Sequence, residues 1–465
     1  MLHRTVINGA RGIVATFVAY PLAERLEGRN VRSKSRELER EMAWPFAKRR
    51  LRSWAAVVDI VRYAAANVPY YRDLFAKIRF NPDKLLIDSR YFQDIPYLTK
   101  DIIRTEGDRL LRRDHATVQK HASKTGGSTG PATLIIYDQD AADWSSAVVR
   151  HLRAGIGKRR FQSELHFASK FAEKFPLRDR LREHAKCFAM NRYNVFFSSF
   201  EPAALDAMWR RIKSIRPHLV HGHPSTMYQL ALHLDAQYDN AAAFRIFESS
   251  GELLEDRQRD TIARVFRCEV IDRYGLAEAG VVAYQAGPHD RTMLVLDPVA
   301  WPEIAAFDGC DDLTTNEQSE AGELVVTATK NQMMPLIRYR TGDMAVISET
   351  TRGFILNKLV GRIHDVIEIG GRRVPTHYVQ DVLNRIGNIK EFQIELRDRV
   401  PMLRIVPEDG ANLDDIRERI KRHWADELKV QFIAGSELRL RGWRRKFHHV
   451  VEASDAPVAA AINRS

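Results

Sequence analysis

The sequence predicts an α/β protein in two parts, a large multi-layer α/β domain at the N-terminal end and a small α+β domain after it. Three observations carry this. The chain has 465 residues, more than a single hydrophobic core ordinarily organises. Between about 106 and 357 short apolar runs with strand character alternate with helical stretches, the pattern of helices layered on sheets. From about 358 the texture changes to a Gly- and Arg-rich stretch, Leu359 to Val374, followed by shorter elements.

The N-terminal domain is therefore taken as residues 1–357, with a helical lead-in over 1–105, and the C-terminal domain as 358–465. The lead-in closes at Ile95-Pro96-Tyr97-Leu98-Thr99-Lys100, where the proline and Thr99 punctuate the pattern before a new helix. The apolar stretch Ile13 to Leu22 is broken by Pro21 and is far shorter than the roughly 20 residues a spanning helix needs. Arg4 and Arg11 give it the look of a signal peptide, yet no small-residue cleavage site follows, so it reads as an N-terminal helix.

In the main domain, Phe244 to Glu248, the helical run Asp256 to Phe266 and Cys268 to Asp272 read as a β-α-β crossover with two parallel strands. Polar clusters follow both strands, at Ser249-Ser250-Gly251-Glu252 and at Arg273 to Glu278, on the carboxyl edge where open α/β sheets bind ligands. Ser225 to Leu234 reads as a helix with Thr226 and Gln229 in capping-box spacing. In the small domain a helix is expected near Tyr378 to Ile386, with strands near Phe392 and Leu403. Another helix is expected over Asn412 to Leu428, with Leu413, Ile416, Ile420, Trp424 and Leu428 on one face.

Composition narrows the function classes. The hydrophobic fraction is 45% and the charged fraction 28%, the balance of a soluble globular protein. A net charge of +12 favours anionic partners of every kind. Nucleic acid is not expected, because no helix-turn-helix, zinc finger or aromatic-basic RNA motif organises that charge. The Lys and Arg residues from Arg29 to Arg52 leave weak peripheral contact with anionic lipid open. Cys187, Cys268 and Cys310 are widely separated, which argues against a disulfide framework or thiolate zinc site and for a reducing cytoplasm. His221-Gly222-His223 has no third ligand at suitable spacing, so metal is not expected there.

The most informative stretch is Lys124 to Ala132, Lys-Thr-Gly-Gly-Ser-Thr-Gly-Pro-Ala. Its glycines, Gly126, Gly127 and Gly130, let backbone approach a phosphate, and Thr125, Ser128 and Thr129 supply hydroxyl donors. A polar surface turn is the plain alternative. A Walker A loop fails because no Lys follows Gly130. Gly126-Gly127-Ser128-Thr129-Gly130 matches the G-x-S-x-G elbow of serine hydrolases, but the strand-like Thr133 to Tyr137 stands where that motif requires a helix.

The loop resembles the phosphate-binding signature of adenylate-forming enzymes, T-S-G-[ST]-T-G-K-P, and the other signatures of that superfamily follow in order. Ser250-Gly251-Glu252 is similar to the segment lining the adenine pocket, and Tyr274-Gly275-Leu276-Ala277-Glu278 to Y-G-x-T-E. Arg340-Thr341-Gly342-Asp343 matches R-T-G-D. Gly361-Arg362-Ile363-His364-Asp365 with Gly371-Arg372-Arg373-Val374 resembles the hinge region, and Lys446-Phe447 the terminal G-K-F. The lead-in segments Asn67 to Arg72 and Pro96 to Lys100 resemble the phenylacetate–coenzyme A ligase and CapK branch.

The resemblance implies ATP-dependent activation of a carboxylic acid as an acyl-adenylate, with transfer to coenzyme A. Glu278 would hold Mg²⁺, Asp343 the ribose, Arg362 and Arg373 the nucleotide or the domain interface, and Lys446 the reacting oxygens. His364 would sit at the hinge, and His223 and Tyr228 beside the acyl pocket. Transfer to an amine or hydroxyl, and a non-catalytic nucleotide-binding homologue, are the alternatives. The last is motivated by Pro131 in place of Lys, Ala277 in place of Thr and His364 in place of Asp. Each departure removes a polar contact, and a charge-assisted one is worth on the order of 1.5 to 3 kcal/mol.

Overall fold

A computed structural model describes residues 9–124, 133–169, 176–197, 202–235, 237, 241–306, 322–362, 366–370, 372–375, 379, 382–383, 386–397, 400–441 and 446–454. The lead-in is helical as expected. α1 (residues 9–14) runs through a π-helical turn, Ala15–Ala19, into α2 (Tyr20–Leu26). α3 (Val31–Met42), α4 (Phe46–Asn67), α5 (Pro69–Lys77) and α6 (Lys100–Glu106) follow. Thr99 caps α6 by accepting from the Ile102 N–H, the side-chain cap its position predicts. No described helix is long and apolar enough to cross a membrane.

β1 (Lys120–Lys124) and β2 (Leu134–Asp138) form an antiparallel ribbon in which Lys124 pairs with Leu134. Asp138 then caps α7 (Gln139–Gly155) by accepting from Ala141 N–H.

A parallel sheet comes next, built from β3 (Glu164–Ser169), β4 (Arg192–Phe197), β5 (Leu219–Gly222), β6 (Ile246–Ser249) and β7 (Glu269–Ile271), in the order β4-β3-β5-β6-β7. Its crossovers are α8 (Leu177–Ala189), α9 (Pro202–Ile215), α10 (Pro224–Asp235) and α11 (Asp256–Phe266). The β6-α11-β7 unit pairs Glu248 with Ile271 in parallel register, as the sequence predicts. α10 starts at Pro224, a residue suited to the first helical turn. Thr226 therefore lies inside the helix, and the capping box expected of it does not form.

One residue after β7 the chain enters a second, antiparallel sheet. Its strands are β8 (Arg273–Leu276), β9 (Gly280–Gly287), β10 (Asp290–Val295), β11 (Ala300–Ala305), β12 (Gly322–Ala328), β13 (Tyr339–Thr350) and β14 (Gly353–Arg362), ordered β11-β12-β13-β14-β10-β9-β8. β14 stays paired with β13 as far as Arg362, opposite Asp343. The lead-in helices bury their apolar face on this sheet: Trp54 meets Trp301 and Phe46 meets Phe354, each with ring centroids 5.3 Å apart. Arg49 closes the same contact by donating to buried Asp297 at 2.8 Å.

Beyond Arg362 lie the ribbon β15 (Val366–Ile369) and β16 (Arg372–Pro375), then a mixed sheet. That sheet contains β17 (Ile389–Leu396), β18 (Met402–Pro407), β19 (Lys429–Phe432) and β22 (Val450–Glu452), in the order β19-β18-β17-β22. β20 (Leu440–Arg441) pairs with β21 (Lys446–Phe447). α12 (Leu413–Trp424) packs Ile416, Ile420 and Trp424 into this core, beside helical residues 379, 382, 383 and 386.

Two expectations for α12 need correction. The helix stops at Trp424 because Ala425 turns to φ 49°, so Leu428 reaches the core from the chain beyond it. Leu413, in the first turn, is exposed.

Candidate active site

Most of the expected site residues whose side chains the structure describes fall into two adjoining groups. The first lies on the antiparallel sheet. Tyr274 on β8 donates its hydroxyl to Asp343 Oδ2 on β13 at 2.7 Å, and both are buried. β8 and β13 are not neighbours in the strand order, so this bond marks the curl of the sheet.

Asp343 is held by its own loop. The Thr341 hydroxyl meets the Asp343 N–H at 3.1 Å and Leu324 O at 2.8 Å, and the Gly342 N–H donates to Glu323 at 3.0 Å. Gly342 takes φ 78°, a backbone state that glycine adopts without the cost of a Cβ. Arg340 pairs with the same Glu323.

Glu278 lies in the β8–β9 turn, nine-tenths buried, and accepts from the Tyr339 hydroxyl at 2.8 Å. Lys100 Nζ stands 3.7 Å from the same oxygen. Gly280 closes the turn at φ 74°.

The second group sits at the carboxyl edge of the parallel sheet. Ser250 N–H donates to Gly222 O at 3.1 Å, and His223 Nδ1 lies 2.9 Å from Ser250 O. Gly251 turns the chain at φ 87°, and Glu252 accepts from Ser225 N–H at the start of α10, 3.3 Å away. Because Glu248 pairs with Ile271, the chain leaving β6 comes level with the chain leaving β7, just before Tyr274 and Gly275.

Beneath both groups is a buried cluster of charges with no counterpart among the sequence expectations. Arg153 of α7 donates to Glu164 at 2.8 Å and to Glu248 at 2.5 Å. Tyr284 donates to Glu248 at 2.7 Å, and His221 Nδ1 lies 2.8 Å from it. Burial pushes the Glu248 carboxyl up, but Arg153 and His221 outweigh it and hold it well below the usual range. Burial also depresses His221 to about 4 and His166 well below its ordinary value, so both are neutral at pH 7.

A cavity of about 1210 Å³ runs beside α7. Tyr137, Ser145, Arg153, Glu164, Ala277 and Glu278 are among the residues that line it. Neither His223 nor Tyr228 is among the residues that line it. Tyr228 lies instead beside Glu255, Arg257, Leu383 and Glu391 in a crevice between the two domains. That crevice is bridged by Arg257, which donates to Ile389 O at 2.6 Å and pairs with Glu408 at 2.9 Å.

Thr125, Gly126, Ser128, Thr129, Gly130 and His364 lie outside the described residues. For Arg362, Arg373 and Lys446 only the backbone is described: Arg362 ends β14 opposite Asp343, Arg373 pairs with Glu368, and Lys446 pairs with Arg441. Lys446 is three residues from His449, whose Nε2 is 3.5 Å from Glu255 of the large domain. Tyr339 and Lys100, which contact Glu278, were not among the sequence candidates, although both adjoin or belong to quoted motifs.

No family model matches the sequence. Curated relatives do. Phenylacetate-coenzyme A ligase of Pseudomonas putida is 27% identical over 356 residues, 72% of this chain and 76% of the relative. The Escherichia coli (strain K12) protein of that name is 26% identical over 391 residues, 78% and 85% of the two chains. Protein CapK of Staphylococcus aureus is 22% identical over 398 residues, 80% and 81%. In fold the chain matches 2-hydroxyisobutyryl-CoA ligase in its postadenylation state, with a TM-score of 0.69 over 92% of this chain and 94% of that one, at 18% identity.

The chain is thus similar in sequence to phenylacetate-coenzyme A ligases and CapK, and in fold to an acyl-CoA ligase that forms an acyl-adenylate. The same structural relative in its thioesterification state superposes less well, with a TM-score of 0.58 at 19% identity.

Among the described residues no group of three or more His, Cys, Asp or Glu side chains is placed to hold a metal ion. A divalent ion such as Mg²⁺, which takes most of its ligands from water and substrate phosphates, needs only one or two carboxylates. Glu278, buried and oriented by Tyr339, fits that demand.

Proposed function

We propose that this protein activates a carboxylic acid with ATP, forming an acyl-adenylate and pyrophosphate, and then passes the acyl group to the thiol of coenzyme A. The observation that carries the reading is the paired anchoring of two buried carboxylates, Tyr274 on Asp343 and Tyr339 on Glu278, beside the carboxyl edge of the parallel sheet. The names of the curated relatives support the same chemistry.

A carboxylate is a poor electrophile. Its oxygen attacks the α-phosphorus of ATP, the bond to the bridging oxygen breaks, and pyrophosphate leaves with the electron pair. Negative charge crowds at the phosphorus, and preorganised cations lower that barrier. We assign Asp343 to the ribose hydroxyls, where a carboxylate fixed by Tyr274 and its own loop accepts two hydrogen bonds. Ser250, Gly251, Glu252, Tyr274 and Gly275 line the adenine side. Thr125, Gly126, Ser128, Thr129 and Gly130 cradle the phosphates, with Arg362 and Arg373 at the nucleotide or the domain interface. Glu278 is the carboxylate for Mg²⁺, which when bound neutralises phosphate charge. Lys446 reaches the reacting oxygens.

We take the segment after Arg362 as the small domain, His364 as its hinge, and the cytoplasm as the site of action. We assign the acid to the cavity along α7, which His223 and Tyr228, the sequence candidates for acyl contact, do not line.

Pyrophosphate release from ATP, measured across a panel of aryl, fatty and hydroxy acids, tests the reading. Release with one acid class, followed by thioester formation on adding coenzyme A, is expected. Bound ATP with no release for any acid rejects the first step, and release without a thioester rejects the second.

A further inference from the structure

The helix that opens the described chain is inverted. A surface helix ordinarily turns its polar side to water. Here Ile13, Val14, Phe17, Val18, Leu22 and Leu26 face outward, with Phe17 67% and Leu26 77% exposed. The inward side is small or charged: Ala15 and Glu24 are buried. A Cβ on Gly12 would come within 2.0 Å of Phe161 O. The close fit at Gly12 fixes which side faces out, so the apolar row is not a helix free to roll over.

α8 packs beside this helix, joined by Arg11, whose guanidinium lies 5.5 Å from the Phe188 ring centre. α8 carries a second apolar row. At about 3.6 residues per turn Leu177, Leu181 and Phe188 share one side, and Leu177 is 69% exposed. The same projection sets Arg178 and Arg180 on the two flanks of that row and Asp179 and Glu183 behind it. Asp179 and Glu183 line the large cavity instead. Two neighbouring helices thus present bulky apolar side chains edged by cations, a patch unlike the scattered apolar residues of an ordinary surface.

We propose that the outward face of α1–α2 and α8 is a docking surface for an anionic lipid bilayer. Apolar side chains at these positions enter the acyl boundary while Arg178, Arg180 and Arg25 meet headgroup phosphates, the division of labour of an interfacial helix. A second copy of the chain is the poorer occupant, since two-fold pairing of this face sets one arginine-edged patch against its like. Docking also has a geometric result. Thr16, Tyr20 and Leu26 on one side and Asp179, Glu183 and Lys186 on the other line the large cavity, so its mouth lies beside the lipid surface.

The test uses the full chain and sedimentation with vesicles of phosphatidylcholine, with and without phosphatidylglycerol. Binding to the anionic vesicles alone, weakened by added salt, is expected. Phe17→Asp combined with Leu181→Asp loses roughly tenfold or more in partitioning while its circular dichroism spectrum stays unchanged. Arg178→Gln with Arg180→Gln, at two exposed positions, removes the preference for anionic lipid and retains the fold if the first variant does not. Sedimentation of the free protein is the counter-test. Wild-type protein that ignores both vesicles, variants that bind as well as wild type, or a dimer that dissociates on the Phe17 change would each overturn the proposal.

Discussion

Glu278 and Asp343 owe their positions to tyrosines on strands that the chain order separates by dozens of residues. An oriented carboxylate pays no reorganisation cost when its ligand arrives, so the hydroxyls matter beyond the bonds they make. For Tyr339→Phe, pyrophosphate release should fall between about 2- and 10-fold, the worth of one hydrogen bond. Glu278→Gln should cost at least about a hundredfold with the fold intact by thermal melting, and wild-type rates would remove Glu278 from the chemistry. The motif residues were legible because their types recur in a fixed order. Tyr339 and Lys100 were not, since only the folded chain brings them to Glu278. Tyr228 was singled out from its sequence neighbourhood; α10 turns it toward a crevice lined by Glu255, Arg257 and Leu383.

At the scale of elements, the contact of α7 with the parallel sheet rests on an arginine. Arg153 is 5% exposed and serves two carboxylates from two different strands. Removing it leaves Glu164 and Glu248 buried with less compensation. Arg153→Met should therefore destabilise the protein by about 3 to 5 kcal/mol, read as a lower urea midpoint at unchanged slope; a shift near zero would refute it. The β6-α11-β7 crossover was readable from alternating runs and their lengths. The Arg153 cluster was not, because an arginine near the end of an amphipathic helix is ordinarily a surface residue. Nor could the stop of α12 at Trp424 be read, since Ala425 carries no turn signal and adopts φ 49° under tertiary constraint.

Across the whole molecule, the two domains meet through groups that titrate. Burial alone would lower the His449 imidazole, but Glu255 and Glu391 outweigh it and raise it to about 9. Burial raises the Glu391 carboxyl to about 7, against the pull of His449, and Arg257 stands nearby. Both groups hold protons more tightly when the domains are together. The contribution of His449 to docking is thus complete below its free value of about 6.5 and is lost as pH climbs through about 9. Glu391 adds a loss between about 4.5 and 7. Hydrogen exchange of β17 amides, corrected for intrinsic rate, should show protection falling from pH 6 toward about pH 9. Protection that rises over that interval would contradict the assignment. The change in texture near 358 suggested a second domain, but this contact was not legible, because Glu255, Glu391 and His449 are distant in sequence and ordinary in type.

Asp272 is the single residue between β7 of one sheet and β8 of the other. A joint that short leaves no slack, and Tyr284 and Arg273 of the antiparallel sheet both reach Glu248 of the parallel one. The carboxyl edge of the parallel sheet and the Glu278 turn are consequently two points on one rigid jaw. An inhibitor designed to span them needs no flexible tether: a stiff scaffold cut to that separation would sacrifice little freedom on binding and gain affinity on that account.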